Sequence, residues 1–154
     1  MKNPQELFYN LAYNLALVAY KLDEVPVGAV IIKNDTYELI SSGYNQMRSN
    51  KSSLDHAEML ALRSAMSRLN QERLIGCSMI TTLEPCPMCA QAISYARLSS
   101  VSFCAEDVKS GGILHGPRIF DSSSCHHKPD VIRYDDDGKS RELLQKFFKS
   151  KRKK

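Results

Sequence analysis

Apolar residues recur at three- and four-residue intervals in several segments of the chain, which is the spacing of amphipathic helices. The first segment opens with Asn3-Pro4, an N-cap residue followed by a proline at the first helical position. Each segment has one apolar side that can cover the face of a sheet. The pattern predicts four helices, over Pro4 to about Leu22, Asp55 to about Asn70, Pro87 to about Arg97, and Lys139 to about Lys151.

Short runs of β-branched and other apolar residues lie between these segments and predict strands. The first two runs flank a polar turn at Asn34-Asp35, which predicts a hairpin. From Cys77 onward strands alternate with helices, so right-handed crossovers and some parallel pairing are expected. The predicted fold class is α/β, a three-layer α/β/α sandwich with a mixed sheet, whose strands cover Val27–Lys33, Leu39–Tyr44, Cys77–Leu83, Leu98–Ala105 and Val131–Tyr134.

The composition is that of a globular protein with a single domain, predicted to occupy residues 1–154. Hydrophobic residues make up 43% and charged residues 25%, and no apolar run approaches the roughly 20 residues that cross a bilayer. Polar residues interrupt the first apolar positions, so no signal peptide is predicted. The five cysteines are an odd number, which argues against a disulfide framework and favours a reducing compartment, the cytoplasm.

The net charge of +4 comes from the end of the chain. From Lys139 onward there are eight basic residues and one acid, Glu142, which leaves 13 of the 21 basic and 16 of the 17 acidic residues for the rest. The last predicted helix therefore has a basic side. Such a run attracts polyanions, including nucleic acids, and it also occurs as a solvated tail that aids solubility. Composition alone favours neither interpretation.

Two short motifs carry the chemistry. Cys86 and Cys89 have the Cys-x-x-Cys spacing, which alone is common in redox sites and in structural zinc sites. His56 alone is more often an ordinary surface or core histidine, and Glu58 fits a helix-capping pattern that begins at Asp55. Together the residues form the H-x-E and P-C-x-x-C signature of zinc nucleobase deaminases. The pair of motifs is far more specific than either part.

The predicted site holds one Zn²⁺ through His56, Cys86 and Cys89. Three protein ligands leave a tetrahedral ion one open position for a water or hydroxide, which distinguishes catalytic from structural zinc sites. Glu58 is the predicted general acid/base, which takes a proton from this water and passes it to the substrate. Residues two apart within a helix point to nearly opposite sides, so His56 must lie at the start of its helix.

These motifs lie within a longer pattern that covers most of the chain. It comprises Glu24–Val30, Asn45, His56–Glu58, Thr82–Ala90, Ala105, Asp107, Lys109, Gly111, Glu142–Leu144, Phe147-Phe148 and the basic end. On these residues the chain resembles the cytidine-deaminase-like superfamily. Within that superfamily it is similar to the bacterial tRNA-specific adenosine deaminases, which make inosine at the wobble position.

The resemblance implies a zinc-dependent hydrolase that acts on a cyclic amidine, converting adenosine to inosine in tRNA and releasing ammonia. It implies a five-stranded mixed sheet and a homodimer whose subunits help to shape each site. By position, Asn45 would hydrogen-bond the flipped base and Asp107 would contact the ribose-phosphate backbone. Lys109 and the basic C-terminal helix, about residues 139–154, would meet the anticodon stem-loop. No membrane is involved in this activity.

The chain departs from the family pattern at several positions. Asp55 stands directly before the ligand histidine, where the family usually has a small residue, and Glu106 stands where it often has a basic one. Cys104 replaces a frequent glycine, and the segment Ile113–Asp130 matches poorly. The two acids add negative charge near an RNA-facing site, so they bear on the choice of substrate and leave the zinc chemistry intact.

Two alternative functions share part of the pattern. A deaminase of a free base or nucleoside, such as guanine or cytosine, would use the same zinc chemistry without needing a basic C-terminal helix. A non-catalytic zinc or RNA-binding module would have a closed fourth zinc position and no use for Glu58. Two further features stand outside the motifs: a long aperiodic loop, Asp107–Pro129, of a length typical of functional loops, and Cys125 beside His126-His127, a second candidate metal binder.

Overall fold

The structure is a computed structural model that describes residues 4–152. Within that range there are four α-helices, α1 (Pro4–Lys21), α2 (Ala57–Leu69), α3 (Pro87–Tyr95) and α4 (Lys139–Arg152), and one short 3₁₀ turn at Ile119–Asp121. The strands are β1 (Gly28–Lys33), β2 (Leu39–Tyr44), β3 (Cys77–Leu83), β4 (Ser100–Ala105) and β5 (Asp130–Arg133). The elements predicted from the sequence are confirmed, with ends that differ by a few residues. The predicted N-cap Asn3 lies outside the described residues.

All five strands form one mixed sheet in the order β2-β1-β3-β4-β5. Strand β1 is antiparallel to both β2 and β3, and the pairs β3–β4 and β4–β5 are parallel. The parallel pairs are those joined by helical or long crossovers, as predicted from the alternation of strands and helices after Cys77.

Side chains alternate between the two faces of the sheet and are buried on both. On one face Ala29, Ile31, Met79 and Phe103 pack in a core with residues of α2 and α3. On the other face Val30, Ile32, Ile80 and Cys104 pack against α1. Helix α4 contacts α1, β3 and β4. The result is the three-layer α/β/α arrangement predicted from the sequence.

Helices α1 and α2 approach the sheet closely because glycines face them. A Cβ atom on Gly28 would lie 2.0 Å from the carbonyl oxygen of Ala12 in α1. A Cβ atom on Gly43 would lie 2.6 Å from the carbonyl oxygen of Ala57, the first residue of α2. Gly43 therefore lets the N-terminal turn of α2 sit directly on β2, which brings its first residues to the edge of the sheet.

The strand directions bring several polar residues to one edge of the sheet. The carboxyl ends of β3 and β4 lie side by side because the strands are parallel, and Cys86 and Asp107 follow them. Strand β2 is antiparallel to β1, which pairs Tyr44 with Gly28 and places Asn45 at the same edge. Between residues 4 and 152 no helix is long and apolar enough to cross a membrane.

Candidate active site

His56 is the N-cap residue of α2, which corrects the prediction that Asp55 occupies this position. Asp55 belongs instead to the preceding loop, because its carbonyl oxygen accepts a hydrogen bond from the amide of Gln46 (3.1 Å). Its carboxylate accepts a second bond from Asn50 Nδ2 (2.9 Å). His56 makes no side-chain capping hydrogen bond. Its ring is therefore available to other partners at the start of the helix.

The two cysteines of the second motif lie at the start of α3. Cys86 is its N-cap, again without a side-chain capping bond, and Pro87 occupies the first helical position. His56 Nδ1 lies 3.6 Å from Cys86 Sγ and 3.5 Å from Cys89 Sγ. The ligand atoms of the three residues lie within 4.8 Å of one another. The start of α2 and the start of α3 therefore meet at one cluster.

The dimensions of the cluster fit Zn²⁺. Bonds of about 2.3 Å to sulfur and about 2.0 Å to nitrogen, at a tetrahedral angle, place sulfur and nitrogen ligands roughly 3.6 Å apart. The distances from His56 Nδ1 to the two sulfur atoms match this separation. Two thiolates and one imidazole are also the donor set that selects zinc among the common metals. The geometry and donor set of His56, Cys86 and Cys89 therefore fit one Zn²⁺ per chain.

The surroundings favour the thiolate form of Cys86. Hydrogen bonding from Cys89 and then from His56 lowers the pKa of the Cys86 thiol to about 4, although its partial burial acts in the opposite direction. The N-termini of α2 and α3 both point at the cluster, and their partial positive charge stabilises an anion there. A thiolate is the form that binds a metal, so Cys86 is prepared for the ion. The hydrogen bond with Cys86 and burial raise the pKa of Cys89, so binding of the ion must release the Cys89 proton.

Glu58 lies at the second position of α2, beside the cluster but outside the set of ligands. It is 4% exposed, and burial raises the pKa of its carboxyl group to about 7. A carboxyl group with a pKa near neutrality can both accept and release a proton at physiological pH. The placement of His56 at the N-cap lets Glu58 share the site, as the sequence spacing requires.

The cluster opens into a cleft of about 1050 Å³. Its floor contains His56, Glu58 and Cys86, and one wall is the segment 105–110 that follows β4. Helix α4 also lines the cleft, with apolar and basic side chains. The metal centre, the segment after β4 and the C-terminal helix therefore surround a single space. The α4 side chains that line it are Arg141, Leu144, Gln145, Phe148, Lys151 and Arg152.

Asn45 lines the same cleft and carries an unpaired acceptor. The side chain is 5% exposed, and its Nδ2 donates to the carbonyl oxygen of Val25 (3.3 Å). This bond fixes the orientation of the amide. Its Oδ1 is buried and has no hydrogen-bond partner among the described residues. A buried acceptor without a partner is costly, which indicates a position where a ligand can donate a hydrogen bond.

The comparisons with known proteins agree with this geometry. Residues 2–105 match the family profile described as "Cytidine and deoxycytidylate deaminase zinc-binding region". The tRNA-specific adenosine deaminase of Agrobacterium fabrum is 41% identical over 145 residues, which cover 94% of each chain. The chain belongs to the family of tRNA-specific adenosine deaminases.

Solved structures extend the comparison within and beyond this family. A structure from a study of A-to-I editing by tRNA:A34 deaminases is 39% identical to this chain, with a TM-score of 0.86. The match covers 90% of this chain and 99% of the other. A guanine deaminase from Bacillus subtilis is 35% identical with a TM-score of 0.62, and the match covers 69% of this chain and 66% of that one. Deaminases of different substrates thus share the fold. The match to the tRNA:A34 deaminase structure covers more of both chains than the match to the guanine deaminase.

The departures of this chain from the family pattern are compensated locally. Glu106 forms an ion pair with Arg133 (3.3 Å), which offsets its negative charge, and His115 Nε2 lies 3.7 Å from the same carboxylate. Asp55 accepts from Asn50 and lies 3.9 Å from Arg63. Cys104 points to the α1 side of the sheet, away from the metal cluster. These residues therefore add little net negative charge to a site that faces RNA in the family.

Two of the predicted RNA-contacting residues line the rim of the cleft. Asp107 is half-buried, and its Oδ1 accepts a hydrogen bond from the amide of Ser110 (2.9 Å). Lys109 is exposed in the same turn. The structure thus brings both residues to the cleft that holds the deaminase motif. One Asp107 oxygen therefore stabilises the turn that carries Lys109.

Cys125 does not form a second metal site. Its thiol donates to the carbonyl oxygen of His127 (3.1 Å), and His127 Nε2 bonds the carbonyl oxygen of Leu98 (2.7 Å). Within residues 4–152 the metal-type cluster detected is that of His56, Cys86 and Cys89. The segment around Cys125 therefore closes the core beside α3.

The sequence analysis did not assign a role to two buried glutamates near the cleft, Glu24 and Glu84. Glu24 is 1% exposed and accepts bonds from the amides of Arg48 (3.0 Å) and Ser49 (2.7 Å) and from the Ser49 hydroxyl (2.6 Å). Glu84, also 1% exposed, binds the segment that follows β4 in the same manner. Glu24 lies two residues before a proline in the connection to β1, and Glu84 lies between the end of β3 and a proline. An acid close to a proline and to a strand is the sequence signal that could have indicated these buried carboxylates.

Replacing Glu24 by glutamine is expected to lower the thermal midpoint at pH 7 and to flatten its dependence on pH. Burial acts to raise the pKa of Glu24, but hydrogen bonds from Ser49 and Arg48 hold it below its ordinary value of 4.5. The ionised form therefore favours the folded state, so its contribution is complete above about pH 4.5 and is lost as the pH falls through the folded-state pKa. Calorimetry between pH 3 and pH 7 on the wild type and on Glu24→Gln measures how the thermal midpoint changes with pH. The same change with pH in both proteins would contradict a stabilising role of the ionised carboxylate.

Proposed function

We propose that this chain catalyses the hydrolytic deamination of adenosine to inosine at the wobble position of tRNA, with release of ammonia. The observation that carries the proposal is the position of Glu58 beside the His56, Cys86 and Cys89 cluster, at the floor of a cleft whose wall is a basic helix. The Agrobacterium relative is named a tRNA-specific adenosine deaminase. Membership of this family, with its zinc-binding region, supports the reaction and the substrate class.

The proposed roles follow the geometry. His56, Cys86 and Cys89 would hold Zn²⁺, a Lewis acid that would lower the pKa of the attacking water to near neutrality. Glu58 takes a proton from the attacking water and delivers it to ring N1 of adenine. A bond forms between the water oxygen and C6. Glu58 then carries the second proton of the water to the amino nitrogen, and the bond from C6 to that nitrogen breaks, so that the products are inosine and ammonia.

Asn45 orients the base in this proposal, and Asn45→Ala tests the assignment. We expect kcat/KM for an RNA substrate to fall by about 10- to 100-fold, because a hydrogen bond from the substrate to Oδ1 is lost. The thermal midpoint should fall only slightly, since the variant loses the long hydrogen bond from Nδ2 to Val25 (3.3 Å) while Oδ1 has no partner within the described chain. Steady-state kinetics and a thermal melt measure both quantities. The exposed amide variant Gln71→Ala serves as a control, and an unchanged kcat/KM in Asn45→Ala would remove Asn45 from the site.

The rim of the cleft is the proposed contact surface for the anticodon stem-loop. Asp107 and Lys109 line it from the segment after β4, and Arg141 and Arg152 line it from α4. The described residues include no ion pair of these two arginines, so both are available to phosphates. Other α4 lysines lie against aromatic rings, Lys139 at 4.8 Å from the Tyr13 centroid and Lys146 at 5.6 Å from Tyr20. Part of the basic face thus anchors the helix, and part faces the cleft.

The family likeness also supports a homodimer in the cytoplasm that acts as a single deaminase domain. Large apolar side chains remain exposed in the single chain, among them Tyr95 at 72% and Ile75 at 71%. A homodimer interface would bury apolar side chains of this kind. Light scattering on the purified protein measures the mass directly, and a mass of one chain at micromolar concentration would contradict the dimer.

The experiment that tests the proposed function is ammonia release by the zinc-loaded protein from an anticodon stem-loop with adenosine at the wobble position. Guanine, cytosine, cytidine and free adenosine are assayed in parallel. We expect release from the RNA alone, with a rate that falls as salt rises because phosphate contacts are screened. Release from a free base alone would support the alternative deaminase. Absence of release from every substrate, with one zinc per chain, would favour the non-catalytic module.

A further inference from the structure

The segment that lines the cleft after β4 folds back onto the metal-binding turn. We define this segment as the 107–115 loop. Its first part places Asp107 and Lys109 at the rim of the cleft. Its last part, from Gly111 to His115, lies against the turn between β3 and α3 that contains Cys86. The loop therefore spans the distance between the proposed RNA-contacting residues and the metal ligands.

One buried carboxylate binds both ends of this loop. Glu84 Oε1 accepts hydrogen bonds from the amide of Asp107 (3.1 Å) and from His115 Nδ1 (2.8 Å). Its Oε2 accepts from the amides of Ile113 (3.2 Å), Leu114 (2.9 Å) and His115 (3.2 Å). All these donors belong to the loop, although Glu84 itself lies two residues before Cys86. A single side chain thus ties the loop to the metal-binding turn.

The backbone of the loop is packed against the same turn without room for side chains. A Cβ atom on Gly111 would lie 2.4 Å from Glu84 Oε2 and 2.5 Å from the carbonyl oxygen of Asp107. A Cβ atom on Gly112 would lie 2.5 Å from the backbone nitrogen of Pro87. The amide of Gly112 donates to the carbonyl oxygen of Pro85 (2.8 Å). The two glycines therefore allow the backbone of the loop to pack directly against Glu84 and Pro87, where a larger residue would clash.

We propose that Glu84 is a positioning residue that sets the distance and orientation of Asp107 and Lys109 relative to the metal centre. This inference rests on the proposed function, because it assigns the loop to the binding of the RNA around the target adenosine. A buried carboxylate without partners is strongly unfavourable in a protein interior. Its hydrogen bonds all go to one loop that lines the cleft, so the group stabilises the position of that loop rather than the packing of the helices.

Glu84→Gln is the first test, because it keeps the shape of the side chain and replaces one acceptor oxygen with an NH₂ group. Either orientation of the amide leaves at least two of the five donors without an acceptor. We expect KM for the stem-loop RNA to rise at least about tenfold while kcat changes by less than about threefold. Zinc content should remain at one per chain. Glu38→Gln, which also removes one acidic charge but lies in the β1–β2 turn, should leave KM unchanged.

Gly111→Ala is the second variant, because it displaces the loop while the carboxylate stays in place. The added methyl group would lie 2.4 Å from Glu84 Oε2, so the loop must move. The same rise in KM without loss of zinc is expected. An unchanged KM in both variants would overturn the proposal, and so would loss of zinc in Glu84→Gln, which would make Glu84 a support for the metal-binding turn alone.

Hydrogen exchange of the free proteins separates this proposal from the proposed function. In the wild type, the amides of Ile113, Leu114 and His115 should exchange slowly, and in Glu84→Gln they should exchange at least about tenfold faster. Exchange in the α2 helix should not change. If the wild type releases no ammonia from RNA, the proposed function fails, while the exchange data still decide whether Glu84 holds the loop. Unchanged exchange at these three amides would overturn the positioning role.

Discussion

Replacing Glu58 by glutamine is expected to lower kcat for ammonia release by roughly 10²- to 10⁴-fold, with zinc still bound at one per chain. Glutamine has nearly the shape of glutamate but cannot accept and release a proton at neutral pH. Glu58 is buried beside the cluster and is not one of its ligands, so its loss should leave the three metal-binding side chains in place. Steady-state kinetics on the stem-loop RNA and a zinc assay on the same samples measure the two quantities.

The matched control for Glu58→Gln is Glu72→Gln, which removes an exposed acid just beyond the end of α2. Its kcat should equal that of the wild type. Binding of the RNA gives a further readout, since Glu58→Gln should keep an affinity close to that of the wild type. A Glu58→Gln protein that retains full turnover would exclude Glu58 as the proton carrier. Loss of zinc in that variant would show instead that Glu58 supports the metal.

The second large effect is expected for Cys89→Ala. Cys89 is fully buried and its sulfur lies 3.5 Å from His56 Nδ1, so no neighbouring water can easily replace it as a ligand. We expect zinc content to fall from one per chain to near zero and ammonia release to be lost. The thermal midpoint should also fall, because an ion that binds only the folded state stabilises it by about 2.7 kcal/mol at a free concentration 100 times the dissociation constant.

Cys125→Ala provides the control for the loss of a buried thiol. Its sulfur bonds to the carbonyl oxygen of His127 and lies outside the cluster, so the zinc content should stay at one per chain. Metal analysis by mass spectrometry and a thermal melt, with and without a chelator, compare the two variants. If Cys89→Ala kept its zinc, or if Cys125→Ala lost it, the assignment of the ligand set would be wrong.

The order and type of the elements could be predicted from the sequence because each has a local signal. The apolar spacing of α1 and the β-branched runs of β1 and β3 are set by burial on one or two faces, which repeats along the chain. The start of α2 was predicted wrongly, since Asp55 is a good N-cap residue by type. Its carboxylate is engaged by Asn50 in the preceding loop, a contact that helix-capping patterns do not include.

The candidate site was predictable to the extent that its chemistry lies in short motifs. His56, Glu58, Cys86 and Cys89 could be named from their spacing, because metal ligands at helix starts have fixed separations. The wall that α4 contributes to the cleft depends on contacts between segments far apart in the chain, so no local pattern reveals it. The loop that Glu84 binds could not be predicted either. Its sequence has no periodic pattern, and its position depends on hydrogen bonds to one carboxylate rather than on repeating contacts.

The two buried glutamates give the site a common design. Glu24 holds the loop that leads to His56, and Glu84 holds the loop that carries Asp107 and Lys109. Glu84 directly follows β3 and Glu24 lies in the short connection between α1 and β1, and in each case a neighbouring irregular segment supplies the backbone amides. The irregular segments around the cleft are thereby fixed relative to the sheet, which is the condition for holding a base at a defined distance from the metal ligands.

The most direct test of the central claim is to locate the product within the RNA. The zinc-loaded protein is incubated with an anticodon stem-loop that carries adenosine at the wobble position and a second adenosine elsewhere in the loop, and inosine is mapped by mass spectrometry of the digested RNA. We expect one inosine, at the wobble position, formed at a rate at least about 100-fold lower with Glu58→Gln. Inosine at both positions, or an unchanged RNA in an assay where free guanine or cytosine is deaminated, would contradict it.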